Sequence, residues 1–329
     1  MNFFLKIFKL LPPEIAHSAS LISLKILHKT KLLKFFIKKN SKNENYNFAG
    51  MIFSNKLGTA AGLDKNGDFI DALGDLGFGF LEVGTITPLP QSGNAKPRVF
   101  RNYKEESIIN SLGFNNKGVD YLVENLKRRK FKGVVGVNIG ANKSSSGNQR
   151  VDDYLICLEK VHKYADYITV NISSPNTPNL RDLHNEKNFK SLISALEEKS
   201  KKIGINIPIF IKISPDESND ALDSIINIVK ESFLSGIVAT NTTINKANLE
   251  DQKFKSINGG LSGKYLMESS TKKISYIKGK HKDISLIGVG GVMSKNDYLQ
   301  KIEAGASLVQ IYTGFIIKGP KLIDDILRD

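Results

Sequence analysis

The rhythm of the chain from residue 50 onward constrains its fold most. Eight short β-rich runs alternate with longer amphipathic ones: LGTAAGL (57–63), FGFLEVGTIT (78–87), VVGVNIG (134–140), YITVNIS (167–173), IPIFIKIS (207–214), GIVATNT (236–242), ISLIGVGG (284–291) and SLVQIYTG (307–314). Between them, stretches such as 115–129, 151–164, 186–202, 217–233 and 294–304 repeat apolar residues at helical spacing. Near-continuous apolar strands joined by helical crossovers need a parallel sheet covered on both faces. Eight such units predict an α/β fold, a closed (β/α)8 TIM barrel rather than an open doubly wound sheet, and a barrel of this kind needs about 250 residues. A chain of 329 residues therefore holds one barrel and a small N-terminal α-helical extension. The polar stretch SKNENYN (41–47) reads as the linker, dividing the chain into 1–45 and 46–329.

In such barrels the site is built at the C-terminal ends of the strands. Those ends carry, in order, Lys65, Thr85, Asn138, Asn171 with Ser174, Lys212, Thr240-Asn241-Thr242, Gly290-Gly291 and Tyr312-Thr313. A strand end must turn toward water in any case, but eight polar or glycine ends in succession point to a large polar ligand. The glycines after the seventh and eighth strands suit a phosphate. Two long connections, 88–114 and 243–265, and the proline-stiffened loop NISSPNTP (171–178) lie on the same side. That loop reads either as a polar turn or as a rigid mount for hydroxyls and amides. Lys212, inside IPIFIKIS, sends an ammonium into the barrel mouth at a desolvation cost unless it meets negative charge. An anionic cofactor ring would supply that charge, and so would an ion pair with Glu82.

Several classes are disfavoured. GGLSGKY (259–265) is not a Walker loop, and GVGGVM (288–293) does not complete a dinucleotide fingerprint. The five histidines are scattered and the single Cys157 has no partner, so neither a metal nor a disulfide is expected. The charge of +14 is concentrated at the N-terminus: residues 1–42 carry nine lysines against one acid, Glu14. There apolar residues recur at helical spacing on both sides of Pro12-Pro13, predicting two short helices. No uncharged run reaches the roughly 18 residues of a membrane span. A secretory signal is interrupted by Lys6 and Lys9. A helical pair packed on the barrel, and an amphipathic pair with phenylalanines in lipid and lysines on anionic headgroups, both stay open.

AAGLDKNG (60–67), VGTIT (83–87), NSLGFNN (110–116), VNIG (137–140), NISSPNTPNLR (171–181), KISPD (212–216), ATNTT (239–243), GGLSG (259–263), GVGG (288–291) and QIYTGFIIKGP (310–320) together resemble the dihydroorotate dehydrogenase family, in particular its quinone-dependent, membrane-associated class 2. The likeness runs nearly from residue 1, and the basic helical pair resembles that class's membrane and quinone-access segment. The resemblance implies oxidation of dihydroorotate to orotate in pyrimidine (UMP) biosynthesis, with FMN as hydride acceptor and a membrane quinone as final acceptor. It implies FMN held by Ala61, Gly62, Lys65, Thr85, Asn138, Asn171, Lys212, Thr240, Gly263, Gly291, Tyr312 and Thr313. Substrate would meet Lys65, Asn110, Ser111, Leu112, Gly113, Phe114, Asn171, Asn176, Asn241 and Thr242, with Ser174 as base. The implied setting is a peripheral protein on the cytoplasmic face of the cell membrane, attached through residues 1–42 to anionic lipid, with no nucleic-acid partner.

The residue types suit that chemistry. Oxidising the C5–C6 bond removes a proton from C5 and a hydride from C6, so a base on one ring face and a hydride acceptor on the other suffice. Neutral asparagines and Lys65 can stabilise the developing enolate and the carboxylate. Serine is a poor base unaided, so a relay through Thr177 or water is expected; His184 lies ten residues on without a motif to support it. Strand pleat would turn Ser173 to the opposite face. The soluble class of the family uses cysteine as base, whereas Cys157 falls in a helix-like run. Another FMN-dependent barrel reductase of a pyrimidine-like substrate is the alternative reading. A tRNA-reducing flavoprotein would need a catalytic cysteine and an RNA-binding domain. A non-enzymatic membrane-surface protein would leave the polar strand ends unexplained.

Overall fold

The computed structural model describes residues 10–35, 45–176 and 186–328. Its strands, in chain order, are β1 (Tyr46–Phe48), β2 (Met51–Phe53), β3 (Leu57–Thr59), β4 (Phe80–Ile86), β5 (Val99–Asn102), β6 (Ser107–Asn110), β7 (Val134–Ile139), β8 (Tyr167–Asn171), β9 (Ile209–Ile213), β10 (Gly236–Ala239), β11 (Gly260–Gly263), β12 (Ser285–Val289) and β13 (Leu308–Ile311). Eight of them close a parallel barrel in the order β3, β4, β7, β8, β9, β10, β12, β13. These are the eight predicted runs. Each ends earlier than its apolar pattern suggested, because the glycines and polar residues at its C-terminal end already belong to the mouth.

Helices 119–128, 148–161, 186–203, 219–231, 267–280 and 295–303 cover the barrel's outer face. Helix 119–128 shows why: Val119, Leu122, Val123 and Leu126 are buried at i, i+3, i+4 and i+7, one apolar stripe laid on the strands.

The barrel's N-terminal end is plugged. Tyr46 and Asn47, expected in the linker, instead form strand β1, which pairs antiparallel with β2 and lays Phe48 and Phe53 across the opening. The Phe48 ring stacks on Phe210 at 5.8 Å, Phe53 meets Phe80 edge-on at 5.4 Å, and Tyr167 meets Phe210 edge-on at 5.7 Å. Gly136 is required here, since a Cβ would come within 2.0 Å of the Tyr167 ring. Side chains therefore fill one end of the barrel and leave the other open for a site.

The two long connections are neither loose nor independent. The first carries the hairpin β5–β6 and the second carries β11, which pairs antiparallel with β6, giving one three-stranded sheet beside the mouth. This sheet was not legible as strands because VFRN, SIIN and GLSG hold only one or two apolar residues each.

Of the two expected N-terminal helices, the first lies in residues 1–9, outside the described residues, and so does most of the linker. The second spans Pro13–Lys29, with proline at its start, and packs on β5 and the short helix 70–74. It is pinned by Glu14, which accepts from Arg98 Nε at 3.1 Å and Nη2 at 3.0 Å, and by Lys25, which donates to the Asp68 carbonyl at 2.8 Å. Ala16 and Leu21 face inward while Ile15, Ile22 and Ile26 stay about half exposed on another face, followed by Phe35 at 75%. No helix among the described residues is long and apolar enough to cross a membrane.

Candidate active site

A pocket of about 980 Å³, counting its open mouth, lies at the C-terminal ends of the strands and runs under the three-stranded sheet. Thr85 enters it because β4 bulges there: Gly84 pairs with Asn138 and Ile86 with Ile139, so Thr85 is the extra residue. Its hydroxyl donates to Asn138 Oδ1 at 2.6 Å. Asn171 Nδ2 reaches both Thr85 Oγ1 and Asn138 Oδ1 at 3.2 Å, and Tyr154, on helix 148–161, clamps the Asn171 carbonyl at 2.7 Å. Asn171 Oδ1 then accepts from the Ser173 amide at 3.2 Å and from Asn241 Nδ2 at 3.3 Å, while Asn241 Oδ1 accepts from the Thr242 amide at 2.8 Å. These amides thus form one chain, set at the Asn138 end by the Glu82 carboxylate and at Asn171 and Asn241 by backbone N–H groups.

Ser174 lines the pocket, and its Oγ accepts from the Asn176 amide at 3.3 Å. Asn176 in turn donates to Asn110 Oδ1 at 3.4 Å, tying the serine loop to β6. Ser173 does not face away: its hydroxyl donates to Asn171 Oδ1 at 3.2 Å and accepts from Asn241 at 3.0 Å. The strand ladder ends at Asn171, so the pleat that would have reversed Ser173 no longer holds. Thr177 and His184 lie outside the described residues.

Lys212 is 5% exposed, lines the pocket, and its ammonium makes no hydrogen bond or ion pair among the described residues. Burial holds its pKa below the ordinary lysine range, opposed by the Glu82 charge. Glu82 itself is engaged elsewhere, accepting from Asn138, Tyr167, Thr169 and Gln310. Gln310 also lines the pocket, and its buried Oε1 has no partner among the described residues. An unpartnered ammonium and an unpartnered carbonyl, both on residues of this pocket's lining, mark where polar ligand atoms belong. Lys65 is pushed down to about 8, by burial first and then by the Arg98 charge. His17, beside it on the N-terminal helix, is pushed down to about 4 by burial and the Lys65 charge.

Ala61, Gly62, Lys65, Thr85, Asn110, Leu112, Gly113, Phe114, Asn171, Ser174, Asn176, Lys212, Thr240, Asn241, Thr242, Gly263, Gly291, Tyr312 and Thr313 all line this one pocket. Two predicted residues do not. Asn138 lies fully buried one layer beneath Thr85 and Asn171. Ser111 uses its amide on the Arg98 carbonyl and its carbonyl on Asn94, which places it in the frame of the loop. Sequence reasoning passed over Gln310 and Ser262, the latter accepting from the Thr313 hydroxyl at 2.8 Å. A signal for one of them existed: Glu82, Thr169 and Gln310 are polar residues at inward positions of otherwise apolar strands.

The sequence profile of the dihydroorotate dehydrogenase family matches residues 44–329. The chain belongs to the dihydroorotate dehydrogenase family. It is 45% identical over 322 residues to a "Dihydroorotate dehydrogenase (quinone)" of Legionella pneumophila (strain Corby), covering 96% of this chain and 95% of that one. A protein of the same description from Buchnera aphidicola subsp. Schizaphis graminum is 46% identical over 329 residues, covering 98% of each. Among solved structures, DHODH from Eimeria tenella in complex with ferulenol superposes with a TM-score of 0.87 at 33% identity, over 96% of this chain and 89% of that one. The profile starts at residue 44, whereas the bacterial dehydrogenases align over nearly the whole chain, so likeness to the family's quinone enzymes includes residues of the N-terminal segment. The only cysteine, Cys157, is fully buried, does not line the pocket, and has its thiol pushed well above the usual range by burial.

Proposed function

We propose that this dihydroorotate dehydrogenase oxidises dihydroorotate to orotate and passes the electrons to a membrane quinone, with FMN as the bound cofactor. The observation that carries the reading is the pairing in one pocket of a serine just past the end of β8 with a set of neutral amides and two lysines. FMN fits the residues present: the free Lys212 ammonium and Gln310 Oε1 offer partners to a polar ring edge, and the glycines Gly290 and Gly291, at φ 116 and 80, let backbone approach a phosphate beside Thr313 and Gly263. Bound there, FMN would supply the hydride acceptor for C6.

The protein's own groups do the rest. Asn110, Asn176, Asn171 and Asn241 offer amides to a planar, amide-rich ring, and Lys65 offers charge to its carboxylate. Ser174 takes the C5 proton, with Asn176 N–H on its oxygen. Cys157 supports the quinone class by its position, since a cysteine base would have to reach the pocket. The N-terminal segment, taken as residues 1–45, brings the exposed Ile15, Ile22, Ile26 and Phe35 to the lipid interface and its lysines to anionic headgroups on the cytoplasmic face of the cell membrane. No nucleic acid enters this reading. The test is colour: purified protein carries flavin near one per chain, and dihydroorotate bleaches it without oxygen. Colourless protein that binds no added FMN refutes it.

A further inference from the structure

We propose that Glu82, a buried carboxylate that does not itself line the pocket, is the positioning residue that keeps Lys212 charged beneath the cofactor; the proposal rests on the FMN reading. Glu82 stands on β4 inside the barrel, 1% exposed. Its Oε2 accepts from Gln310 Nε2 at 2.7 Å, Tyr167 OH at 3.0 Å and Thr169 Oγ1 at 3.1 Å, and its Oε1 from Asn138 Nδ2 at 2.8 Å. These four donors are neutral, so they solvate the carboxylate without cancelling its charge. Lys212, on β9, is the other ionic group inside the barrel, and β3, β7, β10, β12 and β13 carry no titratable residue at all. The remaining titratable groups around Lys212 are Tyr167 of β8, already bonded to Glu82, and Lys65 and Tyr312 on the pocket wall.

Thr169 of β8 holds the Glu82 carboxylate, and Lys212 stands in register with Asn171 two residues further along that same strand, so the two charges lie on neighbouring levels of the barrel interior. A desolvated ammonium without hydrogen bonds tends to lose its proton, and the carboxylate opposes that loss. Glu82 also orders the wall above it. A carboxylate only accepts, so Asn138 must turn Nδ2 toward it and leave Oδ1 for Thr85 and Asn171.

The experiment is a redox titration of bound flavin in wild type, Glu82→Gln, Lys212→Met and the double variant. If Glu82 acts through Lys212, E82Q discharges the lysine and weakens binding of reduced relative to oxidised flavin by tenfold or more, a fall in potential of about 30 mV. That fall shrinks at lower pH as Lys212 regains its proton, and it is absent when Lys212 is already methionine. A raised or unchanged potential in E82Q, or an equal fall in both backgrounds, overturns the proposal while leaving the flavin reading intact. Colourless wild-type protein overturns the flavin reading instead.

A second measurement covers the case in which E82Q fails to fold. Glu82→Asp keeps the carboxylate but draws it back by one methylene, so it should lower the flavin potential in the wild-type background and leave it unchanged beside Lys212→Met. An unchanged potential in Glu82→Asp, or an equal fall in both backgrounds, overturns the coupling.

Discussion

Ser174 and Ser173 are chain neighbours with different surroundings, and the proposed difference in their roles is measurable. Ser174→Ala removes the proposed base and should slow anaerobic flavin bleaching by dihydroorotate by about 10² to 10⁴, while reoxidation by quinone stays within a few-fold. Ser174→Cys should recover part of the loss as pH rises, since a thiolate is accessible where an alkoxide is not. Ser173→Ala is no silent control, because its hydroxyl bridges Asn171 and Asn241. Its effect should fall on the KM for dihydroorotate more than on bleaching at saturation. Stopped-flow on the three variants decides between these roles, and equal slowing of both half-reactions in Ser174→Ala would remove the base assignment. Lys65 makes a separate prediction. With its pKa pushed down to about 8, it loses the charge that would hold a substrate carboxylate as pH rises through that value. kcat/KM for dihydroorotate should then fall about tenfold per pH unit above about 8, and Lys65→Arg, which stays charged, should flatten the decline. An unchanged profile in Lys65→Arg would assign the decline to another group.

At the scale of elements, the N-terminal helix has one packed face and one exposed apolar face. Its inner face is pinned to β5 through Glu14 and Arg98, so cutting it away would disturb the pocket's neighbourhood as well as any lipid contact. Replacing Ile15, Ile22 and Ile26 by serine tests the outer face alone. Liposome association and turnover with a long-tailed quinone should drop, and bleaching by dihydroorotate should stay within about twofold of wild type. Retained liposome binding would show that these side chains do not carry it. The hairpin β1–β2 is a stability element by the same logic. Phe53 is fully buried against Phe80 and Phe48, so Phe53→Ala should cost about 3–5 kcal/mol in denaturant unfolding. A loss below about 1 kcal/mol would mean that the barrel end collapses around the gap.

For the whole molecule, the position of the one cysteine separates the two classes of the family. Cys157 sits on the helix side of the barrel wall, so Cys157→Ala should leave bleaching by dihydroorotate within about twofold and register only in Tm. A loss approaching that of Ser174→Ala would reopen the soluble-class reading. The sequence by itself determined the barrel, because near-continuous apolar strand runs and period-3.6 helical patterns are local and the eightfold alternation leaves few topologies. It also determined most of the pocket, since strand ends of a closed barrel converge on one face whatever their separation along the chain. Three things lay beyond it. The sheet β5–β6–β11 joins residues about 150 positions apart through strands that hold only one or two apolar residues each. Ser173 joined the amides behind the pocket wall because the ladder stops at Asn171, and where pairing ends is settled by neighbours rather than by residue type. The buried chain from Glu82 through Asn138 and Asn171 to Asn241 exists only once four strands close, because each hydrogen bond in it spans strands and a donor's direction is fixed by its partner in space.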